Sequence, residues 1–549
     1  MILTDLLERN AERYGDDTAL IELNPIHDDA KNLSWQEYEL VETGHASHYR
    51  RELTWWAFDE RANRFARLLA DKGVRPGDKV AVWLMNCIDW LPIYFGILKS
   101  GAVAVPLNFR YTSEELAYCL DLSDAATLVF GSEFLERVGS VKQELTGIGT
   151  YIFVGMDVPD YADSFEGLIG GYAPTRPDVR ISEEDDAAIY FSSGTTGFPK
   201  AILHTQASLM SAAVTEQTHH GQTKDDVFLL IPPLYHTGAK MHWFGSLMSG
   251  GKAIILKGTS PKWVLEAASS EKATIVWLLV PWAQDILDAI DDGDVNLDAL
   301  DLSRWRLMHI GAQPVPPSLI KRWKQQFPHH AYDTNYGLSE SIGPGSVHLG
   351  VENILKVGAI GKAGHRWQTK IVDEDGRETP WGEVGELIVK GPGVMKEYYK
   401  DPEATATALK DGWLYTGDMA REDEEGFIYL VDRKKDVIIS GGENIYPVQI
   451  EDFMRKNETI KDIAVIGVAD RRLGEIAAAI IELKEGVRAT EEDMEAFAQG
   501  LPRYKRPRRI IFDKVPRNPT GKIEKPKLRR QYNAEAIVAK ETEIGEGDA

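Results

Sequence analysis

The stretch from Ile189 to Thr205, I-Y-F-S-S-G-T-T-G-F-P-K-A-I-L-H-T, carries the densest chemistry in the chain. Ser192, Ser193, Gly194, Thr195, Thr196 and Gly197 form a run of hydroxyls and backbone N–H groups, closed by Pro199 and Lys200. Glycines let a backbone approach a ligand closely, and a concave run of N–H donors suits phosphate oxygens. The Gly-Lys-Ser/Thr ending of a Walker A loop is absent, because Lys200 follows Pro199 and precedes Ala201. Taken alone, the same residues read equally as a surface turn. Farther on, Thr334-Asn335-Tyr336-Gly337-Leu338-Ser339-Glu340 offers a flat ring for a base, a hydroxyl, and a hard carboxylate oxygen of the kind Mg²⁺ takes. A glycine turn with a surface acid is the plain alternative. His236 follows Pro232-Pro233-Leu234-Tyr235 and precedes an expected helix from Ala239 to Met248. Helical positions four and seven apart share a face, so a His236 directed into a cavity would bring Lys240 and Trp243 with it. A histidine after such a turn also serves as a structural hydrogen-bonder.

These residues sit on elements that the hydrophobic pattern outlines. Ala187–Phe191 and Val227–Ile231 read as buried strands, and Thr54 to Lys72 reads as an amphipathic helix with Gly73 as its C-cap. Strand and helix alternate through most of the chain, which points to α/β layers around mostly parallel sheets. Residues 24–51 break the pattern and read as an inserted surface segment, partly helical. From Trp367 onward, short antiparallel strands separated by Asp-Gly turns at 375–376 and 411–412 suggest a β-subdomain carrying Asp418. The charge cluster Asp432-Arg433-Lys434-Lys435-Asp436 marks a domain boundary. Beyond it come Gly441-Gly442-Glu443-Asn444 and a Pro/Gly loop presenting Lys522.

A chain of 549 residues is too long for one ordinary core and calls for two or more domains. With 62 basic against 85 acidic residues the net charge is −23, which argues against a general nucleic-acid or anionic-membrane binder. Cys87 and Cys119 are the only cysteines, so neither a disulfide framework nor a structural zinc site is expected. The cytoplasm, a reducing compartment, suits them. The N-terminus lacks the pattern of a signal peptide, and no apolar run is long enough to span a bilayer.

Six separate pieces of the sequence, from the helix near residue 54 to Lys522, resemble in order and spacing the adenylate-forming superfamily. That superfamily includes acyl-CoA synthetases, luciferases and peptide-synthetase adenylation domains. The resemblance implies an α/β protein in which a large N-terminal domain (1–432) holds two α/β-layered subdomains plus a β-subdomain. A small mobile α+β C-terminal domain (433–549) would follow. It also implies a chemistry: a carboxylate is coupled to AMP, and a thiol then attacks the mixed anhydride. The first step sets two anions against each other, so it needs charge neutralisation and alignment.

On this resemblance, residues 192–200 would cradle the β- and γ-phosphates of ATP. Glu340, with the Ser192 hydroxyl, would hold Mg²⁺, and Ser339 would contact the α-phosphate. Gly311, Ala312, Gln313, Asn335, Tyr336 and Gly337 would form the adenine pocket, while Asp418 and Arg433 would bind the ribose. Lys522 would bridge the substrate carboxylate and the α-phosphate. A rotation about the charged linker, with Lys435 at the hinge, would exchange that lysine for the Gly441-Gly442-Glu443 face in the thioester step.

The chain resembles the acid–CoA ligase branch most. No acid lies in Tyr235–Lys240 to bind an α-ammonium, and no carrier domain follows Lys522. CoA is therefore the expected acceptor. Tyr235, His236, Lys240, Trp243 and Gly311 would line the acid pocket. Trp243 would shorten it toward a small-to-medium, cyclic or aromatic acid or a medium-chain fatty acid. Lys240 could point inward to a second polar group on the substrate, but the favoured expectation is that it snorkels outward, since burying an unpaired ammonium is costly. Two alternatives stay open: an adenylating enzyme that loads a carrier protein, and a non-catalytic nucleotide-binding relative. The oligomeric state, a homodimer included, is left open too.

Overall fold

The computed structural model describes residues 1–25, 33–36, 39–42, 49–192, 199–311, 315–343, 345–356, 358–440, 443–517 and 523–533. Ser193 to Gly197, Ala312, Gln313, Gly441, Gly442 and Lys522 lie outside them. The chain divides into two compact units. The first comprises Met1–Gly311, Pro317–Thr369 and Val389–Leu414; the second comprises Ala312–Pro316, Lys370–Ile388 and Tyr415–Ala549.

The first unit is built on two sheets of nine and eight strands. In the larger, Ala331–Tyr336, Leu307–Gly311, Ile275–Leu279, Val227–Leu230, Lys252–Leu256 and Thr18–Leu23 lie side by side and all run parallel. Most of their residues are apolar and buried, as suits strands covered on both faces, with Glu22, His309, Asp333 and Thr334 as buried polar exceptions. In the smaller, Lys79–Trp83, Val103–Pro106, Ala125–Gly131 and Thr150–Val154 are parallel, and Asp186–Ser192 joins the edge of Val103–Pro106. The chain then folds back antiparallel as Lys200–Thr205, with Ser192 opposite Lys200.

Helices close the layers. The Trp55–Asp71 helix starts at Thr54, whose hydroxyl accepts from the Ala57 N–H, and buries Phe58, Ala62, Phe65, Leu68 and Leu69. That is the stripe the spacing predicts, one residue in from each expected end; Lys72 rather than Gly73 is the cap residue. Of residues 24–51, those at 26–32, 37–38 and 43–48 lie outside the described residues; Leu33–Gln36, Glu39–Glu42 and the start of Arg50–Thr54 are strand. Leu33–Gln36 pairs antiparallel with Glu39–Glu42, and Arg50–Thr54 extends the large sheet by pairing with Thr18–Leu23. The Arg50–Thr54 side chains are half-buried or exposed, as suits an edge strand.

In the second unit, Trp413–Glu422 pairs antiparallel with Ile428–Arg433. The expected Asp-Gly turn at 411–412 has both residues left-handed, φ +53° and +78°, and joins Leu409–Lys410 to Trp413–Leu414, the start of that strand, which belongs to the first unit. Farther on, Gly474–Leu483 runs antiparallel to Ile460–Asp470 and parallel to Arg509–Phe512. The helices Pro447–Met454 and Glu491–Ala498 contribute Ile450, Met454, Met494 and Ala498 to the core on one face of that sheet.

Candidate active site

Loops leaving the carboxyl ends of parallel strands are where α/β proteins place ligands, and the first unit does so twice over. A cleft there is lined by Asn108, Tyr111, Tyr190, Phe191, Tyr235, His236, Thr237 and Ser339, drawn from loops of both sheets. Ser192 and Lys200, paired across the strand ends, fix the two stems of the loop between them. The structure thus brings Tyr235, His236 and Ser339 together beside the strand that enters the Ser/Thr/Gly loop.

His236 is the N-cap of the Thr237–Ser249 helix: its Nδ1 accepts the Gly238 N–H at 3.0 Å, which leaves the proton on Nε2. Its backbone is extended (φ −82°, ψ 144°), so it does not share the helix's residue spacing. Trp243 accordingly does not line the cleft. It is fully buried against Phe58 and Phe244, with its indole N–H toward the Gly251 carbonyl at 3.4 Å.

Lys240 also departs from expectation: it points inward and is fully buried. Its Nζ donates to the Leu234 carbonyl at 2.8 Å, lies 3.4 Å from that of His236, and sits over the rings of Trp90, Tyr94 and Tyr190. Carbonyls and ring faces offset part of the cost of burying the cation, which is why snorkelling is not required. Burial still holds its pKa well below the ordinary lysine value. Between that depressed pKa and about 10.4 the unfolded chain binds more protons than the folded one, so this group makes stability rise with pH. Lys240→Met keeps the stem and removes the titration. It is expected to flatten that rise in urea-unfolding midpoints taken from about pH 7 to about pH 10; parallel profiles for the two chains would refute the assignment.

Ser339 and Glu340 lie in a single 3₁₀ turn after the Ala331–Tyr336 strand. Two residues unseen in the sequence position them. His204 is buried, which lowers its pKa to about 4, and the neutral ring donates Nε2–H to the Ser339 carbonyl at 2.8 Å. Tyr398 donates its hydroxyl to Glu340 Oε1 at 2.9 Å, and the Lys200 ammonium lies 4.7 Å from the same ring. Tyr398 is there because Glu397–Tyr398 pairs with Ile202–Leu203. Only the tertiary pairing could have revealed it.

The turn before them is tight. A Cβ on Gly337 would stand 1.5 Å from the Gly343 carbonyl oxygen. At Gly311 the opposite holds: a Cβ would meet nothing closer than Asn335, at 3.8 Å. Protein packing therefore requires a glycine at 337 but not at 311. Tyr336 is buried, and Asn335 donates its amide to Glu216 Oε1 at 3.0 Å.

In the second unit, Asp418 and Arg433 are register partners on adjacent strands, with Arg433 Nε 3.5 Å from Asp418 Oδ1. The Asp418 backbone N–H donates to Thr416 Oγ1. Asp432 accepts the N–H groups of Arg433 and Val448, and burial raises its pKa to about 6. Lys435 is exposed in the turn Lys434–Asp436, and Glu443 is exposed opposite Ser440.

The chain matches the AMP-binding enzyme family over residues 7–399 and the AMP-binding enzyme C-terminal domain over 449–522. It is 33% identical over 485 residues to the long-chain-fatty-acid–CoA ligase FadD13 of Mycobacterium tuberculosis, covering 88% of this chain and 93% of that one. It is also 33% identical over 506 residues to a feruloyl-CoA synthase from an Amycolatopsis species, covering 91% and 98%. Among solved structures, an anthranilate CoA ligase, AuaEII, bound to anthranoyl-AMP superposes with a TM-score of 0.86 at 25% identity, covering 98% of both chains. No described helix is long and apolar enough to cross a membrane. Strand order, cleft and matched length agree: this chain belongs to the AMP-binding enzyme family, the adenylate-forming superfamily.

Proposed function

We infer that the chain is an AMP-forming acid–CoA ligase, which adenylates a carboxylic acid with ATP and passes the acyl group to CoA. The observation that carries this reading is the convergence of the stems of the phosphate loop, the Ser339–Glu340 turn and His236 on one cleft at the strand ends. The CoA ligases among its relatives support the acceptor.

Residues 192–200 hold the triphosphate. Tyr336 and Asn335 face the base, and the space a Cβ would fill at Gly311 is room for it. Asp418 and Arg433 hold the ribose. The Glu340 carboxylate, oriented by Tyr398, and the Ser192 hydroxyl would hold Mg²⁺, for which both supply hard oxygens; bound there, the ion would neutralise phosphate charge. Lys522 supplies the cation for the carboxylate and α-phosphate, and Lys435 is the hinge that exchanges it for the face carrying Glu443. The cleft walls are Tyr111, Tyr190, Phe191 and Tyr235, so a compact cyclic or aromatic acid is the preferred substrate. Free Cys87 and Cys119 suit a cytoplasmic enzyme.

The test is a pyrophosphate-release screen over acetate, medium-chain, benzoic, cyclic and dicarboxylic acids, with CoA present or replaced by hydroxylamine. AMP and pyrophosphate, with an acyl-CoA formed only when CoA is added, are expected. Formation of ADP would overturn the mechanism, and adenylate formation without transfer to CoA would assign a different acceptor.

A further inference from the structure

A layer of ionisable side chains lies buried in the first unit, apart from the residues that line the cleft. Trp277, His309 and Asp333 stand at paired positions on three neighbouring parallel strands. Against them the helices Gln206–His220 and Thr237–Ser249 set Glu216, His220 and His242. None of these side chains belongs to a residue more than 5% exposed.

Part of the layer is ordinary ion pairing. His220 Nε2 lies 2.6 Å from Asp333 Oδ2, and His348 Nδ1 lies 3.3 Å from the same oxygen. Asp333 Oδ1 accepts the N–H groups of Thr334 and Gly350, each at 2.8 Å. Asp333 is thereby accounted for. The other half is not. Among the described residues neither ring nitrogen of His309 makes a hydrogen bond, nor does Glu216 Oε2, although His220 Nδ1 lies 3.0 Å from that oxygen. His242 Nδ1 is 3.1 Å from Glu216 Oε1 but lacks hydrogen-bond geometry. A buried polar atom left unpaired is costly, and several of them converge here.

We propose that Glu216, His242 and His309 form a binding site for a divalent transition-metal ion. Their candidate ligand atoms all lie within 4.8 Å of one another, with Glu216 Oε2 3.8 Å from His309 Nδ1. A tetrahedral ion with ligands at about 2.0–2.2 Å sets those atoms about 3.4 Å apart, within reach of small side-chain rotations. Two imidazoles and a carboxylate suit Zn²⁺ better than Mg²⁺ or Ca²⁺. Charge agrees: among the described residues the ion-pair partners of Glu216 and Asp333 are all histidines. A divalent cation would add to the balance of this buried negative charge while the two ligating imidazoles, His242 and His309, stay neutral. The ion would tie both helices to the Leu307–Gly311 strand. One helix begins at His236, the strand ends at Gly311, and Glu216 holds Asn335, so the ion is a positioning element behind the cleft wall.

The full chain, stripped with a chelator and given Zn²⁺, is expected to keep one ion per chain after desalting, measured by plasma mass spectrometry, and to unfold at a higher temperature. Co²⁺ in its place should show the visible absorption of a low-coordinate nitrogen/oxygen site. Glu216→Gln and His309→Asn should each weaken retention roughly tenfold or more. A wild-type chain that keeps no ion and shows no Co²⁺ absorption overturns the proposal. Equal retention in both variants also overturns it, by assigning the ion to the surface. Should a variant fail to fold, X-ray absorption on the Zn²⁺-loaded wild type decides: a shell with two imidazoles supports the site, and a shell without imidazole overturns it. None of these readouts uses ligase turnover, so their failure is separable from failure of the assigned reaction.

Discussion

Lys522→Ala is expected to lower the rate of acyl-adenylate formation by roughly 10²–10³-fold, the usual effect of deleting one pre-positioned charge donor. Adenylation drives a carboxylate into an α-phosphate, and the transition state concentrates negative charge between them. A lysine ammonium is a compact point charge suited to that place. The second half-reaction builds no such charge, because AMP leaves as a thiolate attacks a neutral carbonyl. The same variant, given a synthetic acyl-adenylate and CoA, should therefore form thioester at close to the wild-type rate. Single-turnover measurement of both halves checks this, and equal losses in the two would refute the role. Thermal unfolding at the wild-type midpoint would show that the loss is chemical.

Gly337→Ala is expected to cost roughly 4 kcal/mol or more of stability, at the exceptional end for a single substitution. The new methyl would lie 1.5 Å from the backbone carbonyl of Gly343, which no rotation of a side chain relieves. The clash falls inside the turn that presents Ser339 and Glu340, so any folded fraction should also lose nucleotide-dependent stabilisation. Gly311→Ala supplies the contrast. A Cβ there contacts nothing closer than 3.8 Å, so urea unfolding should be unchanged. If the glycine is there to admit a nucleotide, ATP affinity should fall by about tenfold, near 1.4 kcal/mol. A Gly337→Ala chain with the wild-type urea midpoint would contradict the geometry.

The cleft was legible in the sequence wherever its residues are neighbours in the chain. The Ser/Thr/Gly run and the Pro-Pro-Leu-Tyr-His turn each follow a strand whose apolar run is plain, one in each large sheet, and the Thr334–Glu340 piece continues from a third strand, Ala331–Tyr336. His204, Tyr398 and Glu216 were not legible, because they reach their partners across 135, 58 and 119 residues. Nothing local marks a tyrosine as the hydrogen-bond donor to a distant carboxylate. Lys240 misled for a different reason. The general cost of a buried ammonium is sound, but three aromatic rings and a carbonyl gathered from distant segments change it. Trp243 misled through its spacing, which assumed that helical geometry begins at His236.

The pairing of Ile202 with Tyr398 joins strands 196 residues apart. Contacts so distant along the chain carry a large loop-closure entropy and form late. During synthesis, the carboxylate of Glu340 cannot acquire its tyrosine partner until the polypeptide has grown past residue 398. Ribosome-bound fragments can assemble much of both sheets before then, yet they lack the strand that orders this corner. Maturation of the nucleotide end is thereby deferred until nearly three-quarters of the chain has been made, whatever the stability of the earlier parts.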